Sequence, residues 1–103
     1  MDVDNRRTST RYPVDLSGTV TVDDETVNVQ VSNLSLGGAF VHGLDRLAMG
    51  THVVFSFNIP THEVPIEVTA TTRWSTELGV GLQFGSLRAR EVWSLNKFFE
   101  NFS

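Results

Sequence analysis

Val14-Asp15-Leu16-Ser17-Gly18-Thr19-Val20-Thr21-Val22-Asp23-Asp24-Glu25-Thr26-Val27-Asn28-Val29-Gln30-Val31 sets two apolar/polar alternations on either side of a pair of aspartates. Val14, Leu16, Val20 and Val22 fall on one face of the first run, and Val27, Val29 and Val31 on one face of the second. Period-two alternation is the mark of strands with a single buried face. Aspartate tolerates the positive φ of a tight hairpin turn. With Asp23 and Asp24 as a two-residue loop, Val22 faces Glu25, Val20 faces Val27, Leu16 faces Val31 and Tyr12 faces Ser35. A slip of one residue would put one set of valines in water, so the pattern selects this register or one shifted by two. Gly18 marks a bend or bulge that lets the hairpin curl.

Beyond the hairpin, Ala39 to His42 makes a short third strand, and Gly43 to Gly50 a loop whose Leu44, Leu47 and Met49 pack down. Thr51 to Ile59 is a fourth strand with Val53, Phe55, Phe57 and Ile59 on one face, ended by Pro60. Ile66, Val68, Ala70, Thr72 and Trp74 define the inner face of a fifth. Val80, Leu82 and Phe84 do so for a sixth, whose Gly79 and Gly81 leave room on the opposite face. After Gly85 the period changes. Ser86 is the expected N-cap, and Val92, Leu95, Phe99 and Phe102, with Phe98 beside them, trace one face of a helix over about 86–102. Trp93 lies off that stripe. The expected fold is mainly β: a small six-stranded antiparallel barrel with a C-terminal α-helix plugging or flanking one opening. No βαβ alternation supports a Rossmann-type fold.

The 103 residues and 40% hydrophobic content suit one domain, divided into an N-terminal arm over residues 1–11 and a barrel with its helix over 12–103. Residues 1–5 are polar and expected to be disordered. Absence of cysteine excludes disulfides and thiolate zinc sites and is compatible with a reducing cytoplasm, the expected location. No apolar run approaches a membrane span. A net charge of −4 argues against a general binder of nucleic acid or anionic membrane. Yet three of the eight Lys and Arg, namely Arg6, Arg7 and Arg11, fall within six residues. An acidic protein with one local arginine cluster suits a small, specific anion; the alternative is a solvated basic arm.

The hairpin returns the chain to its start, so Arg11 meets the turn Asn33-Leu34-Ser35-Leu36-Gly37-Gly38. Arginine suits a guanine nucleotide because its fork donates two parallel hydrogen bonds to guanine O6 and N7 or to phosphate, and its plane stacks on a base. Asn33 offers an amide for a base edge and Ser35 a hydroxyl. Gly38 offers a bare backbone. The same residues also suit a simple turn in which an Asx or Ser side chain bonds its own backbone.

Arg7-Thr8-Ser9-Thr10-Arg11 resembles the RxxxR motif of the PilZ domain family, with Arg6 as the frequent preceding arginine. Asn33-Leu34-Ser35-Leu36-Gly37-Gly38 resembles its [D/N]xSxxG motif, and Arg73-Trp74 with Gly79-Val80-Gly81-Leu82-Gln83-Phe84 its W…GvGv.F stretch. The two short motifs in order, at hairpin separation and with the later match, make a strong signal from about Arg6 into the helix. The resemblance implies a six-stranded barrel that binds the bacterial second messenger cyclic di-GMP. Arg7 and Arg11 would grip phosphate and guanine, and Asn33, Ser35 and the backbone near Gly38 would hold the second guanine and its phosphate. Arg6 would add a phosphate contact or help set whether one ligand or an intercalated pair binds.

His42, His52 and His62 are ten apart, which matches no simple ligand pair, and no metal or cofactor is expected. No nucleophile motif is present and no catalysis is assigned. The expected function is that of a bacterial, cytoplasmic cyclic di-GMP receptor and adaptor, monomer or weak dimer, whose arginine arm orders over the ligand and alters a surface read by an effector protein. A protein-interaction adaptor of the same fold that binds no nucleotide is one rival. A single-strand nucleic-acid binder of OB type is another, disfavoured by the acidic charge and the inward phenylalanines.

Overall fold

The computed structural model describes residues 10–44 and 47–102. The hairpin forms as its alternation requires: β1 (Tyr12–Val22) and β2 (Glu25–Leu34) join through Asp23 and Asp24 at φ 51° and 69°. Both central residues with positive φ give the turn the twist that matches right-handed strands. Val22 faces Glu25, Val20 faces Val27 and Leu16 faces Val31. Below Leu16 the register shifts. Val14 and Asp15 together oppose Ser32, so Tyr12 pairs with Leu34 rather than the expected Ser35. Gly18 is not the bulge; it pairs with Phe57, where a Cβ would lie 2.7 Å from the Ser56 carbonyl oxygen.

The chain continues through β3 (Gly38–His42), β4 (His52–Phe57), β5 (Ile66–Ser75), β6 (Val80–Phe84), α1 (Ala89–Phe99) and a 3-10 turn at Glu100–Phe102. All pairings are antiparallel, and the sheet closes in the order β1-β2-β3-β6-β5-β4 and back to β1. The inner face is filled by Val20, Val31, Val41, Leu82 and three phenylalanines. Phe55 and Phe57 stack at 4.9 Å, and both lie on Phe84, at 5.9 and 6.2 Å. Closure removes sheet edges, and the aromatic trio fills the interior of a barrel with this few strands.

Two strands depart from their alternation. In β2 Ser32 is extra against β3, between the Val31–Val41 and Asn33–Phe40 pairs, and Leu34 is buried beyond it. A further bulge falls at Arg73 in β5, so Thr72 pairs with Leu82 but Trp74 pairs with Gly81. The extra residue turns Trp74 to the outer face, where it is 38% exposed, against the expectation that it points inward.

The helix begins at Ala89 with Arg88 as N-cap, two residues later than the expected Ser86. The Glu91 carboxylate accepts the Arg88 backbone N–H at 2.9 Å and sets the start there. Leu95, Phe98 and Phe99 enter the core, while Trp93 is exposed. Phe99 stacks on Tyr12 at 4.3 Å. The Ser94 carbonyl accepts the Thr61 hydroxyl, and the Ser94 hydroxyl meets His62 Nδ1, both at 2.7 Å. The helix therefore covers the barrel end where β1 starts, β4 ends and the β2–β3 turn lies. At the other end Leu44 and Leu47 pack on the core, but Met49 is exposed. Among the described residues no helix is long and apolar enough to cross a membrane.

Candidate functional site

The turn after β2 is a self-bonded unit. Ser35 N–H donates to the Gly38 carbonyl at 2.8 Å, and Ser35 Oγ accepts the N–H groups of Gly37 and Gly38 at 3.1 and 3.0 Å. The Phe84 N–H donates to the Gly37 carbonyl at 2.8 Å, which pins the turn to β6. Ser35 is buried, and so is Gly38. A Cβ at Gly38 would overlap the Leu82 carbonyl oxygen, so glycine there answers to the close approach of β6 and not to positive φ. The serine thus satisfies backbone donors that would otherwise be orphaned in a buried turn.

Arg11 comes to this turn as the residue just before β1. Its Nη1 donates to Asn33 Oδ1 at 3.1 Å, and its guanidinium carbon lies 5.2 Å from the centre of the Trp74 ring. No carboxylate pairs with Arg11 among the described residues. Trp74 is seated on Gly81, where any side chain would overlap the indole. It stacks on Phe40 at 6.5 Å, and Phe40 meets His42 edge-on at 5.2 Å. His42 is itself held at both nitrogens, Nδ1 at 2.6 Å from the Leu78 carbonyl and Nε2 at 2.9 Å from Ser32 Oγ. The outcome is a cation laid on an aromatic surface, with one hydrogen bond fixing the guanidinium and the rest of its fork without a partner among the described residues.

Of the sequence-predicted residues, Arg11 and Asn33 are brought into contact. Ser35 and Gly38 follow within the same turn, with their polar capacity directed into it. Arg6 and Arg7, and with them the arm up to Ser9, lie outside the described residues. Trp74 is the site feature that alternation misassigned. The signal that could have found it was Gly79-Val80-Gly81: a strand that omits side chains on its outer face has something large packed there.

A PilZ domain family model matches residues 5–100. The chain belongs to the PilZ domain family. A search of curated proteins finds no match. Solved structures share the PilZ fold at low identity. The inhibitor of motility MotI/DgrA of Bacillus subtilis has 20% identity and a TM-score of 0.73 over 93% of this chain and 50% of its own. The PilZ domain of CeSA from a cellulose-synthesizing bacterium has 18% identity and a TM-score of 0.70, over 92% of this chain and all of that domain. PlzA of Borreliella burgdorferi, solved in complex with c-di-GMP, has 16% identity and a TM-score of 0.70, over 95% of this chain and 44% of its own. This PilZ chain thus spans about half the length of MotI/DgrA and less than half of PlzA.

Proposed function

We propose that this PilZ domain is a receptor for cyclic di-GMP, without catalysis, in which Arg6, Arg7 and Arg11 grip the ligand against Asn33, the Ser35–Gly38 turn and the face of Trp74. The placement of Arg11 carries the proposal: Asn33 aims it, Trp74 supports it, and the donors left unpartnered among the described residues suit phosphate oxygens or a guanine edge. Ser35 contributes by shaping the turn, and Gly38 by letting the turn lie against β6. Arg6 and Arg7 close over the ligand from the arm, and an effector protein reads the altered surface. The structure of PlzA with c-di-GMP supports this reading by kinship.

Isothermal titration with cyclic di-GMP, with GTP and cyclic di-AMP as controls, tests it. Hydrogen bonds to charged groups contribute about 1.5–3 kcal/mol each, so Arg11→Ala should weaken binding at least about tenfold. Absence of selective binding by folded protein overturns the receptor reading. The second reading, an adaptor that recognises a protein without nucleotide, draws on Trp93, 61% exposed on the helix with Lys97 5.6 Å from its ring. It predicts amide exchange that nucleotide leaves unchanged.

A further inference from the structure

Arg73 faces outward by the alternation of β5, the bulge brings Trp74 to the same face, and among the described residues Arg73 makes no hydrogen bond or ion pair. It lines a shallow cleft of about 340 Å³ on the outer face of β4, β5 and β6, with His52, Thr69, Thr71 and Gln83. Among the described residues no carboxylate lines this cleft, in a protein of net charge −4. Thr71 Oγ1 lies 3.3 Å from His52 Nδ1, and Nε2 of that ring has no partner among the described residues. The cleft borders the Arg11 site by two routes. Trp74, under Arg11, is next to Arg73 in the chain, and Gln83 is the ladder partner of both Gly38 and Thr71. Two strand spacings, about 10 Å, separate Gly38 on β3 from the β5 side of the cleft, a distance that a dinucleotide covers.

We propose that Arg73 and its cleft hold a further phosphate group of the nucleotide gripped at Arg11 and Asn33. The proposal rests on the receptor reading and extends it from one arginine-lined position to two. Arg73 supplies the charged fork and the Gln83 amide a neutral donor beside it; His52 adds a second in the tautomer whose Nδ1 accepts the Thr71 hydroxyl. Positive charge without a neighbouring carboxylate raises the local concentration of an anion that the acidic chain as a whole repels.

The test is titration of the protein with cyclic di-GMP as wild type, Arg73→Gln, Arg73→Lys and Arg11→Ala, with thermal unfolding as the check on folding. Arg73→Gln should raise Kd about tenfold at unchanged Tm, with Arg73→Lys between it and wild type because the charge is kept and the fork lost. A Kd for Arg73→Gln within about twofold of wild type, with binding lost in Arg11→Ala, overturns the role of Arg73 and leaves the receptor reading standing. Failure of the wild type to bind overturns the receptor reading instead. The cleft is then judged by inorganic pyrophosphate, followed through the amide chemical shifts of Thr71, Arg73, Gln83 and Gly85. Saturable shifts that vanish in Arg73→Gln support an anion cleft, and absence of shifts overturns it.

Discussion

Replacing Gly81 with alanine isolates the aromatic support of Arg11 from the arginine itself. A Cβ at position 81 overlaps the Trp74 indole, not backbone, so the ring must lift while the β5–β6 ladder persists. With Trp74 38% exposed, about 150 Å² of its roughly 250 Å² is covered. At about 25 cal/mol per Å² that cover corresponds to about 4 kcal/mol as an upper figure. Lifting one edge forfeits a third to a half of it, about 1.5–2 kcal/mol, and removal of a strand glycine returns about 0.5–1 kcal/mol. The net loss is about 1 kcal/mol, a fall in Tm of about 4–8 °C for a domain of this size. Trp93 would obscure the optical signal, so the comparison is made in a Trp93→Phe background. There, Gly81→Ala should shift Trp74 emission to the red, raise its quenching by acrylamide and weaken cyclic di-GMP binding by the about 0.5–2 kcal/mol of a cation–π contact. Unchanged emission and quenching would refute the seating of Trp74 on Gly81. Altered emission with unchanged affinity would refute the supporting role of the ring.

Gly38→Ala forces a Cβ toward the Leu82 carbonyl oxygen, which cannot move without parting β3 from β6. It should cost about 2–3 kcal/mol, measured by urea denaturation. Ser35→Ala leaves the Gly37 and Gly38 N–H groups without their side-chain acceptor and should cost about 1–3 kcal/mol, with faster hydrogen exchange at those two amides. Asp23→Asn with Asp24→Gly places the preferred pair where both φ values are positive and should stabilise the hairpin by about 0.5–1 kcal/mol, read as a higher Tm.

The upper hairpin was legible because two independent signals agreed there: the valine alternation and a turn pair that accepts positive φ. Arg11 and Asn33 could likewise be placed together, since a hairpin of known register returns its open end to a known partner. Ser35 and Gly38 were found as residues, but their environment was not. From sequence, a serine and glycine in a turn fit ligand contact and self-bonding equally well. Only the packing of β6 against the turn shows the hydroxyl spent on backbone N–H groups and the glycine occupied by a carbonyl.

Alternation by itself determined that this chain forms six strands and a terminal helix, because which face of a strand is buried is a local property written every second residue. What only the tertiary structure decided was where that period breaks. Extra residues at Val14–Asp15 and at Arg73 shift Tyr12 onto Leu34 and turn Trp74 outward. A bulge is stabilised by what the displaced residues then meet: Phe99 from the far end of the chain for Tyr12, and, for Trp74, Gly81 and Phe40 from two other strands and Arg11 from just before β1. Those partners are distant in sequence, so no local pattern could carry the information.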